Sequence, residues 1–220
     1  MFDFKIKHHP TIIYRPIRPS DLQVLELIHA SLFPVRYDID FFLNVVNGLG
    51  IVSWGAVDIS RSDGRFDELI GFVTTRIISV KESEIENLLR YDMSRKDQTL
   101  VYILTLGVVE QYRNLGIASA LVREVIKYAS SISSCRAVYL HVIAYNQPAI
   151  HFYQKMLFKL VRREVLAAFS AYLRRLLSIL AGKIWVKRKP RWPRCKENNI
   201  LLVSQNKRIL NTENSICQTA

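Results

Sequence analysis

Apolar positions along this chain alternate between short β-like runs and helical stripes. TIIYRPIRP, at 11–19, reads as a short strand. Ser20 then offers an N-cap, with Gln23 three residues later as a capping-box partner. Leu22, Leu25, Ile28 and Leu32 recur at helical spacing, and Pro34 stops that helix. A second short helix is predicted over Asp40–Val46, ended by Gly48. IVSWGAVDI and ELIGFVTTRIISV read as two strands joined at Ser62-Asp63-Gly64, an antiparallel hairpin. Residues 81–98 are polar and read as an exposed loop. TLVYILTLGVV is strongly β-prone; NLGIASALVREVIKYAS is a helix with Leu121, Val122, Val125 and Ile126 inward. RAVYLHVIAYN is another buried strand. Pro148 suits the first turn of the short helix AIHFYQKML, and FKLVRR begins a last strand. This order predicts an α/β fold with a mixed sheet whose central strands are buried on both faces.

Composition changes the picture only beyond Arg163. The formal net charge is +12, yet residues 1–160 hold 18 Lys and Arg against 16 Asp and Glu. Residues 161–196 hold 11 against one. There Val165, Phe169, Tyr172, Leu173, Leu176, Leu180 and Ile184 recur at helical spacing, followed by WVKRKPRWPRCK. An amphipathic helix with Trp185, Trp192 and a basic cluster fits an anionic membrane surface. The alternative is a helix packed on the domain with a solvated tail. The tryptophans favour lipid over nucleic acid. The expected organisation is therefore a domain over 1–163, a basic amphipathic segment over 164–196, and a disordered tail over 197–220. No run of 18 uncharged apolar residues is present, and the N-terminus has no apolar leader. Cys135, Cys195 and Cys217 give no disulfide framework and no metal-ligand spacing.

Candidate chemistry concentrates at 101–119. After the strand comes Arg113-Asn114-Leu115-Gly116-Ile117-Ala118. A glycine there lets the backbone turn tightly, and the helix that follows presents free N–H groups suited to a pyrophosphate. An ordinary strand-to-helix turn containing a glycine is the competing reading. Tyr102, upstream, and His141, on the next strand, are polar tips within apolar runs. Acyl transfer to an amine requires a deprotonated nitrogen and a proton route, which such groups provide. Either could equally be a core residue with a satisfied tip.

The R-x-x-G-x-A turn in this context resembles the GNAT acetyltransferase superfamily. VYILTLGVVEQYRNLGIASALV and YLHVIAYNQPAIHFYQKMLF are most similar to NatF-type N-alpha-acetyltransferases, over about residues 11–160. The resemblance implies a GNAT fold, mixed but mostly antiparallel, and acetyl-CoA as co-substrate with no metal. It implies Tyr102 and His141 as catalytic bases. It matches Leu106, Gly107 and Val108 to acetyl-CoA contacts, and Asn114, Leu115, Gly116, Ile117, Ala118 and Ser119 to the pyrophosphate loop. Asn146, Tyr153, Gln154, Lys155 and Met156 match the cofactor arm, and Tyr37 and Leu104 match peptide contacts. It further implies protein N-termini that keep their initiator Met as substrates, and a peripheral location on the cytosolic face of the Golgi or plasma membrane. Lysine or histone acetylation is the alternative activity. The chain departs from the pattern after Arg163, where the aromatic loop and terminal strand are expected to be missing; an inactive acetyl-CoA-binding form is then a further alternative.

Overall fold

The runs predicted between 11 and 164 form helices and strands close to their expected bounds. The computed structural model describes residues 10–34, 36–61, 64, 65, 67–83, 97–164 and 199–205. The chain divides into two compact units, Met1–Val138 with Asn206–Ala220, and Tyr139–Gln205.

The first unit contains β1 (Ile12–Pro16), α1 (Leu22–Leu32), α2 (Ile39–Asn47), β2 (Val52–Asp58), β3 (Leu69–Ser79), β4 (Thr99–Val108) and α3 (Ile117–Ser131). Its strands lie in the order β1-β2-β3-β4, each antiparallel to the next. Leu69–Thr75 of β3 are buried without interruption, as a strand covered on both faces must be. Leu121, Val122 and Val125 of α3 are wholly buried, and α1 and α3 both pack against β3. α2 ends at Gly48, whose φ of 67° closes the last turn. The Ser62–Gly64 turn lies partly outside the described residues.

The start of α1 differs from expectation. Ser20 falls in a 3-10 turn over Pro19–Asp21, and Asp21 is the helix cap. The cause is a competing partner. Asp21 takes a two-pronged bond from Arg15, at 2.7 and 2.9 Å, and a third from the Arg18 amide. That buried pair fixes the entry of α1, leaving no capping role for Ser20.

β5 (Cys135–Ile143) runs from the first unit into the second. The second unit adds α4 (Gln147–Lys155), β6 (Lys159–Glu164) and β7 (Asn199–Gln205), with strands in the order β5-β7-β6. β7 corrects the expected loss of the terminal strand, and the expected disorder over 199–205; the rest of the tail expected over 197–220 lies outside the described residues. β6 and β7 pair antiparallel from Lys159↔Val203 to Glu164↔Asn199. Ile200-Leu201-Leu202-Val203 is a short β-prone run, and Leu202 is wholly buried, so pairing removes apolar surface from water. The amphipathic stretch expected over 164–196 lies outside the described residues, except that Glu164 closes β6.

Candidate active site

β4 is interrupted by a bulge. Thr75 pairs with Ile103 while Thr74 pairs with Thr105, which leaves Leu104 as the extra residue. Beyond the bulge, Thr105 and Gly107 are buried, whereas Leu104, Leu106 and Val108 are half-exposed. The Thr105 and Thr74 hydroxyls share a bond of 2.6 Å that holds the two strands together below the bulge.

The direction of the strand-end peptide groups follows from one bond. The Val109 amide donates to the Ile70 carbonyl at 2.8 Å. In an antiparallel ladder, bonded pairs recur every second residue, so Gly107 with Phe72 and Thr105 with Thr74 are the bonded ones. The peptide groups of Leu106 and Val108 therefore point away from β3. Amides on that edge of β4, where no strand takes them up, would be the donors to orient and polarise an acyl carbonyl. Gly107 has no room for a side chain: a Cβ would lie 2.7 Å from Leu32 Cδ1 and 3.1 Å from the Phe72 ring.

The turn after β4 is built from two left-handed residues, Asn114 at φ 64° and Gly116 at φ 79°. Asparagine tolerates this region, and glycine enters it freely. Gly116 is the N-cap of α3 and no side chain caps that helix. Its first bond is Ala120 N to Gly116 O, at 3.0 Å. The amides of Ile117, Ala118 and Ser119 precede that bond and are the donors a helix start offers to an anion. A Cβ at Gly116 would meet nothing within 4 Å, so the loop is open on that side. Arg113 Nε donates to Val108 O at 3.4 Å, tying the guanidinium to the strand end. Tyr112 braces the turn from below, its hydroxyl donating to Asp58 Oδ2 at 3.2 Å. These features fit the pyrophosphate and thioester ends of acetyl-CoA.

The first unit thus brings together Leu104, Leu106, Gly107, Val108 and Asn114–Ser119. Tyr102 lies on the same strand before the bulge and is buried. Tyr37 is half-buried between α1 and α2, and burial raises its hydroxyl pKa above the ordinary range. Burial likewise raises the Cys135 thiol, so the nucleophilic thiolate is disfavoured there.

In the second unit, His141 is half-buried on β5, its ring 6.2 Å from that of Tyr139. Asn146 is exposed and caps α4, its Oδ1 accepting from the Ala149 amide at 3.3 Å. Pro148 sits in the first turn of α4, as its fixed φ favours. Tyr153 is a core residue, its ring 5.0 Å from Phe152 and 5.4 Å from Phe158. Its burial pushes the hydroxyl pKa strongly upward. Gln154 and Lys155 are exposed and Met156 is half-buried. Among the described residues, no cluster of His, Cys, Asp and Glu is placed to hold a metal ion.

Sequence reasoning missed three residues near the site. His29, on α1, is one of the largest wholly buried side chains. Tyr112 and Asp58 lie too far apart in sequence for their bond to be legible. A lone His on an apolar helix face is a weak signal, though its place beside Ile28 was visible.

A bulged strand, a glycine-capped helix start and an antiparallel sheet together define a coenzyme A-dependent acyltransferase fold. The profile of the Acetyltransferase (GNAT) family matches residues 40–158, and the chain belongs to that family. Its fold resembles that of Arabidopsis thaliana NAA60 in complex with acetyl-CoA, with 51% identity and a TM-score of 0.74 over 90% of this chain and 99% of that one. The same protein in complex with a bisubstrate analogue gives 51% identity and a TM-score of 0.72 over 89% and 98%. The histone acetyltransferase MCC1 of Arabidopsis thaliana is 58% identical over 74% of this chain and 66% of its own length. N-alpha-acetyltransferase 60 of Danio rerio is 27% identical over 64% of this chain and 56% of its own. The chain thus spans between just over half and just under two thirds of these curated relatives.

Proposed function

We propose that the chain is an N-alpha-acetyltransferase that moves acetyl from acetyl-CoA to the α-amine of proteins retaining their initiator Met, membrane proteins with cytosolic N-termini among them. The carrying observation is the cradle of the first unit: outward peptide groups at Leu106 and Val108, then the uncapped α3 start at Gly116. The likeness to NAA60 in complex with a bisubstrate analogue, and to N-alpha-acetyltransferase 60, supports an α-amine as acceptor.

Acetyl-CoA supplies an acetyl thioester, whose carbonyl takes the amine as the C–S bond breaks. Leu106 and Val108 amides hold the carbonyl oxygen as it gains charge. The amides of Ile117, Ala118 and Ser119 hold the pyrophosphate, with Asn114 and Leu115 shaping the loop. Tyr102 and His141 carry away the proton that the attacking amine loses, through ordered water. Tyr37 and Leu104 contact the peptide. Asn146 and Tyr153–Met156 line the cofactor arm, Tyr153 from within the core. The basic amphipathic stretch over 165–196 binds an anionic membrane surface and places the enzyme peripherally on the cytosolic face of the Golgi or plasma membrane.

The identity to MCC1 favours histone acetylation as a second reading. One assay separates the two. The purified chain is incubated with acetyl-CoA and peptides beginning Met-Lys, Met-Leu or Ser-Gly, and with a lysine peptide blocked at its N-terminus. Transfer to the Met-initiated peptides is expected. Transfer to the blocked lysine peptide alone replaces this reading with the second. Tyr102→Phe and His141→Ala should each lower turnover while cofactor affinity stays near wild type; full rate in both overturns the catalytic assignment.

A further inference from the structure

One imidazole touches both ends of the connection between α1 and α2. His29 is 1% exposed. Phe33, at the start of the connection, stacks on it with centroids 4.5 Å apart and planes 26° apart. Tyr37, near its end, meets the same ring edge-on at 4.9 Å and 86°. Phe42 of α2 closes another side at 5.3 Å, and Phe72 of β3 lies nearly parallel at 6.1 Å. Tyr37 packs in turn on Phe41 at 4.3 Å. Phe72 is the residue whose ring abuts Gly107, so this aromatic box touches the strand end that would hold the acetyl group.

The choice of histidine is costly here. Its Nε2 is buried with no hydrogen-bond partner among the described residues. Leucine or phenylalanine would fill similar space without that desolvation penalty. What the imidazole provides is a small flat ring, one face for Phe33 and an edge contact for Tyr37, which a branched aliphatic chain cannot reproduce.

We propose that His29 is a positioning residue for the peptide substrate: its ring clamps both arms of the α1–α2 connection and so holds Tyr37 at the acceptor side of the acetyl site. The inference rests on the reading of the chain as a transferase whose peptide passes Tyr37. Clamping keeps the connection in one arrangement before the peptide arrives, so ordering it costs no binding energy.

Two variants and two readouts test this. His29→Leu keeps the bulk and loses the flat ring; His29→Phe keeps the ring and loses the nitrogen. Hydrogen exchange at the amides of Phe33 and Phe41, which donate to the His29 and Asp38 carbonyls at 3.0 Å each, reads the clamp without turnover. Steady-state kinetics, with peptide and acetyl-CoA varied separately, read its use. His29→Leu should exchange at least tenfold faster at those amides and raise the peptide KM about fivefold, with the acetyl-CoA KM within twofold. His29→Phe should restore both. Unchanged exchange in His29→Leu overturns the clamp, and an unchanged peptide KM, or an equal rise in both KM values, overturns the positioning role. A His29→Phe defect as large as that of His29→Leu assigns the effect to the nitrogen and also overturns it. Absence of any transfer by the wild type sinks the proposed function, and the positioning role with it, whereas unchanged exchange sinks this inference alone.

Discussion

Replacing Gly116 divides a known cost between folding and cofactor binding. Gly116 sits at φ 79° and ψ 1°, and a Cβ there meets no atom within 4 Å. The penalty of Gly116→Ala is therefore conformational and not steric. An L-residue in the left-handed region costs about 1–2 kcal/mol. If the loop keeps its shape, folding bears that cost, and Tm falls by about 2–8 °C for a chain of this size. If the loop relaxes instead, folding is spared, but the amides of Ile117–Ser119 leave their places. Acetyl-CoA affinity then drops by roughly 5–30-fold, the same energy expressed as binding. Gly116→Asn is the internal control. It adds more atoms to the same open space, yet asparagine tolerates the conformation, as Asn114 does two residues earlier. Calorimetry with acetyl-CoA and thermal melts of both variants measure the two shares. Wild-type Tm and wild-type affinity together in Gly116→Ala would refute the argument. So would an asparagine variant worse than the alanine one, which would show that space and not backbone geometry is limiting.

Gly107→Ala is the steric counterpart: Leu32 and Phe72 must move to admit the Cβ, and about 1–3 kcal/mol of stability is lost, read by urea unfolding. Tyr112→Phe removes a donor to the wholly buried Asp58 and should cost about 1.5–3 kcal/mol, a charged acceptor losing a bond; a smaller loss in Tm than about 3 °C counts against the brace. Burial lowers the His29 pKa from 6.5 to about 4. The unfolded chain therefore binds an extra proton between those values, and stability falls as pH drops through that window, by about 3 kcal/mol in full. Urea unfolding at pH 7.5, 5.5 and 4.5 checks this, and His29→Leu should remove that part of the slope; an unchanged slope refutes it.

Local patterns carried most of the fold. The periodicity of 101–131 places β4 and α3 because strand and helix differ in period and meet at a glycine. The cradle was legible for the same reason: it is local, and its chemistry depends on backbone shape that Gly116 announces. Ser20 was misread as a cap because the deciding contact, Arg15 to Asp21, depends on how the chain folds back at β1. β7 was missed because Ile200–Val203 is short and follows a long basic stretch, so that only a partner strand reveals it. The His29 box was invisible because it draws rings from α1, α2 and β3, and no sequence spacing encodes that convergence.

The β6–β7 pairing alters how the basic stretch can be studied. Glu164 and Asn199 face each other across the ladder, so the chain leaves the sheet and re-enters it at adjacent points, about 5 Å apart. Stopping translation after Glu164 would delete a structural strand together with the charges, and a defect in that product would report on the sheet. The informative variant is an internal excision, with a short turn splicing Glu164 to Asn199, which lifts out the cationic insert and leaves both strands in register.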